Sequence, residues 1–376
     1  MTILTNARIV LPDAIIAGTV ALDGARIVAV SEGRSRSAAA RDLDGDFLIP
    51  GVVDVHTDNL ERQVQPRNNA RWPSRSALLA HDAHCAAAGV TTVLDALCIG
   101  DLGFEPDRIR TFQEGVADLD ALGGTGLLRS EHFLHLRCEL PAPEVITLAE
   151  PVVEHPRVRM ISLMDHSPGV GQYADLERYR RMRRRDGMDD ATIERRIAEL
   201  AEQRARHRTP NRRALLARVA HLDVPLASHD DRTEAEIEEN LADGVLISEF
   251  PVSLEAARAA RQRDIAVIAG APNVVRGGSH SGNVAAAALV RADVVDAYAS
   301  DYVPASLVEA AFLTCSEIGL GLAESVALVT DRPARLCRLP DRGRIEPGLR
   351  ADLVRVRMHD GLPVVRQVWR AGERVA

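Results

Sequence analysis

Two rhythms of apolar and polar positions run along the chain. Near both ends the alternation has a period of two, in residues 3–12 (ILTNARIVLP), 17–33 (AGTVALDGARIVAVSEG) and 363–376 (PVVRQVWRAGERVA). That spacing sets one face of a β-strand against a core. Asp23-Gly24 between two alternating runs is a hairpin signal. Residues 1–50 and 343–376 are therefore expected to join as one small β-sandwich domain built from both termini.

Between them, short apolar runs alternate with helical stretches, the pattern of a parallel α/β fold. Eight runs fit buried strands: GVVDVHTD, GVTTVLDAL, HFLHLRCEL, VRMISLMDHS, VPLASHDD, GVLISEFP, IAVIAGAPN and VDAYASDY. Eight such units over residues 51–342 predict a TIM-like (β/α)8 barrel. Nearly every run ends in polar residues, as expected of a barrel whose site lies at the C-terminal ends of its strands. A doubly wound sheet is the alternative, but it does not spread polar strand ends over the whole series. One stretch, about 170–220, departs from the repeat. It is helical and densely charged, either a solvated face or a lid that brings arginines toward an anionic ligand.

Composition narrows the chemistry. The sequence has 46 lysines plus arginines, and every one is arginine. Schiff-base lysines, P-loop lysines and a carboxylated lysine bridging two metals are thereby excluded. The net charge of −8 argues against nucleic acid as a partner. No stretch of about twenty residues lacks charge, which argues against a membrane span. The five cysteines are scattered through apolar segments and the opening residues lack a signal-peptide pattern. Both point to reduced thiols and a cytoplasmic location.

Alternation also selects the polar side chains that enter the barrel. In 133–139 the apolar face is Leu134, Leu136 and Cys138, so His135, Arg137 and Glu139 point inward. The same reasoning turns His166 and His229 inward. A one-residue slip would exchange His166 for Asp165. His56 and Asp58 close the first strand and Asp301 the last. The set His56, Asp58, Glu139, His166, His229 and Asp301 suits one or two divalent metals, with Glu139 as the bridge if there are two. Asp301 is the candidate catalytic base for water. Zinc fits these donors, with manganese or iron as alternatives. The loop 271–283 supplies Arg276, Gly277, Gly278, Ser279, His280 and Ser281, donors suited to phosphate oxygens. Arg62, Arg67 and Arg137 could add charge there. His81 and His84 fall in a predicted helix and are read as packing or surface residues.

FLIPGVVDVHTD, the last-strand Asp301 and the closing GLRADLV resemble the amidohydrolase superfamily. HTDNLE, EHFLHLRCELP, SLMDHSPG, GAPNVVRGGSHSGN and ASDYVPASL narrow the resemblance to its diphosphatases of the carbon–phosphorus lyase pathway, and it covers essentially the whole chain. The resemblance implies phosphonate catabolism. The substrate would be a small-molecule ribose 5-triphosphate carrying a methylphosphonate, cleaved to pyrophosphate and a 5-phosphate. Self-association into a homo-oligomer is left open. Against the superfamily pattern, Asp58 replaces the usual second histidine, and Glu249 stands where the sixth strand often carries histidine. The alternative activity is hydrolysis or deamination of a cyclic amide or N-acyl substrate.

Overall fold

The fold is described from a computed structural model, which covers residues 1–67, 70–103, 107–279 and 282–376. Among the described residues there are two eight-strand sheets. The first is parallel and follows chain order from Val52–Thr57 through Val90–Ile99, Glu131–Glu139, Val158–Met164, Leu226–His229, Ile247–Glu249 and Ala266–Gly270 to Ala297–Ala299. A parallel bridge from Thr57 to Asp301 closes it. Each predicted apolar run contributes one strand of this barrel.

The two faces of the strands explain why the barrel forms. Phe133, Met160, Ala227, Ile247, Ile268 and Ala297 fill the interior. Leu134, Leu136, Cys138, Ile161 and Leu163 face outward into a layer shared with the surrounding helices. Burying both faces requires the near-continuous apolar runs seen in the sequence. Thr233 and Glu236 form a reciprocal capping box at the helix after the fifth strand, and Ser253 caps the helix after the sixth.

The second sheet takes strands from both ends of the chain. Thr2–Val10 pairs antiparallel with Ile15–Asp23, while Phe47–Pro50 pairs antiparallel with Leu353–His359. The sheet curls: Ile27 near one edge and Trp369 toward the other share a core with Leu4, Leu22 and Leu353. Gly372 lies so close to the carbonyl of Gly24 that a Cβ there would sit 2.0 Å from it. The barrel's underside is joined to this sheet by charge. Arg342 Nη1 donates to Glu131 Oε2 at 2.6 Å and to Thr92 Oγ1 at 2.9 Å, and Arg350 pairs with the same carboxylate.

The charged stretch forms a helix, Leu176–Arg185, and then a 30-residue helix, Asp190–Val219. The second is the crossover to the fifth strand. His81 is buried under its helix, where it meets Asp95 at 2.7 Å while His132 meets the same carboxylate at 2.8 Å. These are hydrogen-bond distances, and with them His81, Asp95 and His132 form a buried group of metal-type donors apart from the strand ends. All five cysteines are free and four are buried. No helix among the described residues is long and apolar enough to cross a membrane.

Candidate active site

The strand ends are shaped by local distortions. Relative to the second strand, the first carries one extra residue between Asp54 and Thr57. Such a bulge re-aims side chains. Val55 packs in the inner cluster, yet the adjacent His56 also turns inward, and the Val55 carbonyl accepts His135 Nδ1–H at 3.0 Å. Asp54 Oδ1 accepts the N–H groups of Ser300 (3.1 Å) and His56 (3.4 Å), tying the first strand to the last. At the ends of the fifth, sixth and eighth strands, Asp230, Phe250 and Asp301 adopt φ of +58°, +51° and +55°. Left-handed backbone at non-glycine residues is costly and concentrates at sites where neighbours enforce it.

These ends surround a cavity of about 440 Å³ lined by His56, Asp58, Arg137, His166, His229, Asp230 and Asp301. Two groups of metal-type donors share His229, and within each group the donor atoms lie within 4.8 Å of one another. In one, Asp230 Oδ2 is 4.0 Å from His166 Nε2 and 3.9 Å from His229 Nε2. Those separations are too long for hydrogen bonds and slightly wider than the ~3.3 Å edge of a zinc tetrahedron with ~2.0–2.1 Å bonds. In the other, Glu249 stands 3.1 Å from His56 Nδ1 and 3.5 Å from His229 Nδ1. Ser162 Oγ fixes Glu249 by donating to it at 2.6 Å.

Electrostatics agree with a cation site. Burial disfavours the imidazolium of His56, but Glu249 and Asp58 outweigh it and raise its pKa to about 10. Burial also opposes the Glu249 carboxylate, yet His135 and His56 hold its pKa well below the usual range. His229 is pushed down by burial toward the neutral form that ligates. Metal and proton compete for one set of donors, so a bound cation would replace the proton that these carboxylates favour on His56. Nitrogen and carboxylate donors in this arrangement fit a divalent cation.

The predicted residues divide into groups. His56, His166 and His229 converge on the donor sets. Asp165 turns away to Arg204 at 2.6 Å, so His166 is the inward residue of the pair. Glu139 accepts the His166 N–H and its ring Nδ1, standing behind that histidine and outside both donor groups. Asp58 accepts Arg137 Nη1 at 2.5 Å. Arg137 overcomes the effect of burial and holds the Asp58 pKa far below its ordinary range. Asp301 is fixed by its main chain, accepting from Asp58 N and donating to His56 O. Burial, then Asp58, pushes its carboxyl up to about 7.

Arg276, Gly278 and Ser279 line the cavity. Gly277, φ +72°, lies between the first two, and Arg62 packs over the Tyr302 ring. His280 and Ser281 lie outside the described residues. The ligand set inferred from sequence omitted Asp230 and Glu249. Strand alternation would have turned Glu249 inward, whereas nothing local marks Asp230. Arg108, Arg183 and Tyr173 also line the cavity from loop and insertion positions that alternation does not reach.

Comparison with known proteins bears on the chain as a whole. Residues 187–376 match the model of the amidohydrolase family. The chain is 41% identical to alpha-D-ribose 1-methylphosphonate 5-triphosphate diphosphatase of Escherichia coli (strain K12), covering 99% of this chain and 100% of that protein. Among solved structures, N-acetyl-D-glucosamine-6-phosphate deacetylase of Mycobacterium smegmatis superposes with a TM-score of 0.66 at 19% identity over the whole of both chains. N-isopropylammelide isopropylaminohydrolase of Burkholderia multivorans superposes with a TM-score of 0.65 at 18% identity, covering 100% of this chain and 98% of that one. Likeness at that level of identity shows the shared fold alone.

Proposed function

We infer the activity starting from the family: this chain belongs to the amidohydrolase family, and it hydrolyses alpha-D-ribose 1-methylphosphonate 5-triphosphate. Pyrophosphate leaves and the 5-phosphate stays on the sugar. The observation that carries the reading is the 41% identity to a diphosphatase of that substrate over 99% of this chain. The cavity chemistry supports it, because Arg108, Arg137, Arg183 and Arg276 reach one wall system that also bears the imidazoles. Four guanidinium groups suit a polyphosphate far better than a neutral amide.

The chain's own residues have definable tasks. His56, His229 and Glu249 form one donor group and His166, His229 and Asp230 another, on opposite ring nitrogens of His229. They would hold one or two divalent cations, with zinc favoured by the donors and manganese or iron as alternatives. Such an ion supplies Lewis-acid polarisation of water and phosphate oxygens. Asp301, its backbone locked to the first strand, takes the proton of the attacking water. The water oxygen bonds to phosphorus, the bridging P–O bond breaks, and pyrophosphate departs with its charge neutralised by arginine. Arg137, held on Asp58, keeps its orientation at the cavity wall. Glu139 positions His166 by taking its Nδ1–H.

Pyrophosphate release from the ribose triphosphate by protein stripped with a chelator and reloaded with zinc, manganese or iron tests the proposal. Release that depends on added metal is the expected result. Ammonia or carboxylate release from a cyclic amide, with no pyrophosphate from the triphosphate, would sink it.

A further inference from the structure

We propose that the arginine helix Leu176–Arg185 builds a second anion subsite, which receives the methylphosphonate end of the substrate. The inference rests on the functional reading above and adds the site for the substrate's other charged group.

A second cavity of about 450 Å³ adjoins the first, and Gln172, Tyr173 and Met182 line both. Arg178, Arg181 and Arg185 line the second cavity. Their i, i+3, i+7 spacing places them on one face of the helix. Of the intervening arginines, Arg183 lines the first cavity and two pair with carboxylates. Arg180 pairs with Glu177 and Glu194, and Arg184 with Asp190. Arg180 and Arg184 are thus drawn toward the long helix, while Arg178, Arg181 and Arg185 line the cavity. Three guanidinium groups along one wall give that cavity donors suited to the oxygens of an anion.

The helix is also joined to the hydrolytic centre. The Tyr173 ring stands edge-on to His166 at 6.2 Å and to Tyr179 at 5.6 Å, spanning from the imidazoles to the second cavity. Across the mouth, Arg178 approaches Gly282 so closely that a Cβ there would lie 2.9 Å from its Nη1. Gly282 has φ +66°, so glycine suits both the backbone and the space. The Arg178 end of the insertion therefore closes over the cavity mouth, while Arg181 and Arg185 stay open to solvent.

The substrate has two anionic ends separated by the ribose. The bond to be broken lies in the triphosphate, so that end must sit among His166, His229 and Asp230 with the first cavity's arginines. The methylphosphonate then extends past Tyr173 into the adjoining cavity.

The test compares the substrate with ribose 5-triphosphate, which lacks the phosphonate, in metal-loaded wild type and in the Arg181→Gln, Arg185→Gln double variant. Both positions are exposed, so the variant should fold, and an unchanged melting temperature checks this. The ratio of kcat/KM for the full to the truncated substrate should fall about tenfold or more, as expected for loss of charge-assisted contacts. Free methylphosphonate should compete with the full substrate in wild type and lose that ability in the variant. Arg276→Gln, in the first cavity, should lower kcat/KM for both substrates in parallel. An unchanged ratio and unchanged methylphosphonate inhibition would overturn the second subsite while leaving the function intact. Absence of pyrophosphate release from either substrate in wild type would instead overturn the function.

Discussion

Glu139 takes two hydrogen bonds from the same residue: the main-chain N–H of His166 at 2.9 Å and its ring Nδ1 at 2.5 Å. That double contact leaves His166 Nε2 pointing at Asp230 and makes the carboxylate a support for the imidazole. Glu139→Gln should weaken metal affinity by about 10–100-fold, with activity recovering at high metal concentration. Metal titration of the stripped protein measures this. If Glu139 instead contacts the ion directly, excess metal will not restore turnover.

Asp165 and His166 are adjacent in sequence but lie in different environments. The Asp165 carboxylate is only 12% exposed and faces Arg204 at 2.6 Å and Arg208 at 3.7 Å, so Asp165→Asn should cost about 1–3 kcal/mol of stability and leave metal content intact. His166→Asn should lose the metal. Metal analysis of the two purified variants decides the matter, and equal metal loss in both would reverse the assignment.

Asp301→Asn keeps the shape of the last strand end and removes the proton acceptor. The kcat should fall by about 100- to 10,000-fold with metal bound and KM little changed. Steady-state kinetics on metal-loaded protein give the answer. Full turnover would eliminate the base role.

His132 predicts a pH dependence of stability away from the site. Burial opposes its charged form, but Asp95 and Asp82 raise the pKa to about 9. A folded pKa above the unfolded value of about 6.5 stabilises the protein fully below pH 6.5. That stabilisation is lost as pH rises from there through 9. Asp95 has the opposite sign: its pKa is lowered, with His132 and His81 overcoming burial, so its contribution fades only in acid. Chemical denaturation at pH 6.5 and pH 10 should show a loss of roughly 2–3 kcal/mol from His132, and His132→Gln should flatten the profile. Equal slopes in wild type and variant would refute the pairing.

Much of the frame was legible because strand alternation is local. The apolar row Leu134, Leu136 and Cys138 meets the helices, which sends His135, Arg137 and Glu139 inward. The same period turns Ile247 and Glu249 inward. The sequence could not show that Glu249 meets His56 across 193 residues, because that contact exists only once the barrel closes. Nor could it separate a solvated arginine helix from one whose end closes over a cavity, since i, i+3 and i+4 spacings suit both.

What the sequence alone determined is the strand order, the inward faces, the exclusion of lysine chemistry and a set of imidazoles at strand ends. These follow from covalent order and from a side-chain period that each segment carries within itself. Tertiary structure decided the remainder. A bulge rotates His56 toward Glu249, and left-handed backbone places Asp230 between His166 and His229. The neighbouring helix draws away Arg180 and Arg184, while Arg178, Arg181 and Arg185 line the adjoining cavity. Each of these depends on neighbours distant in the chain, and no local pattern encodes them.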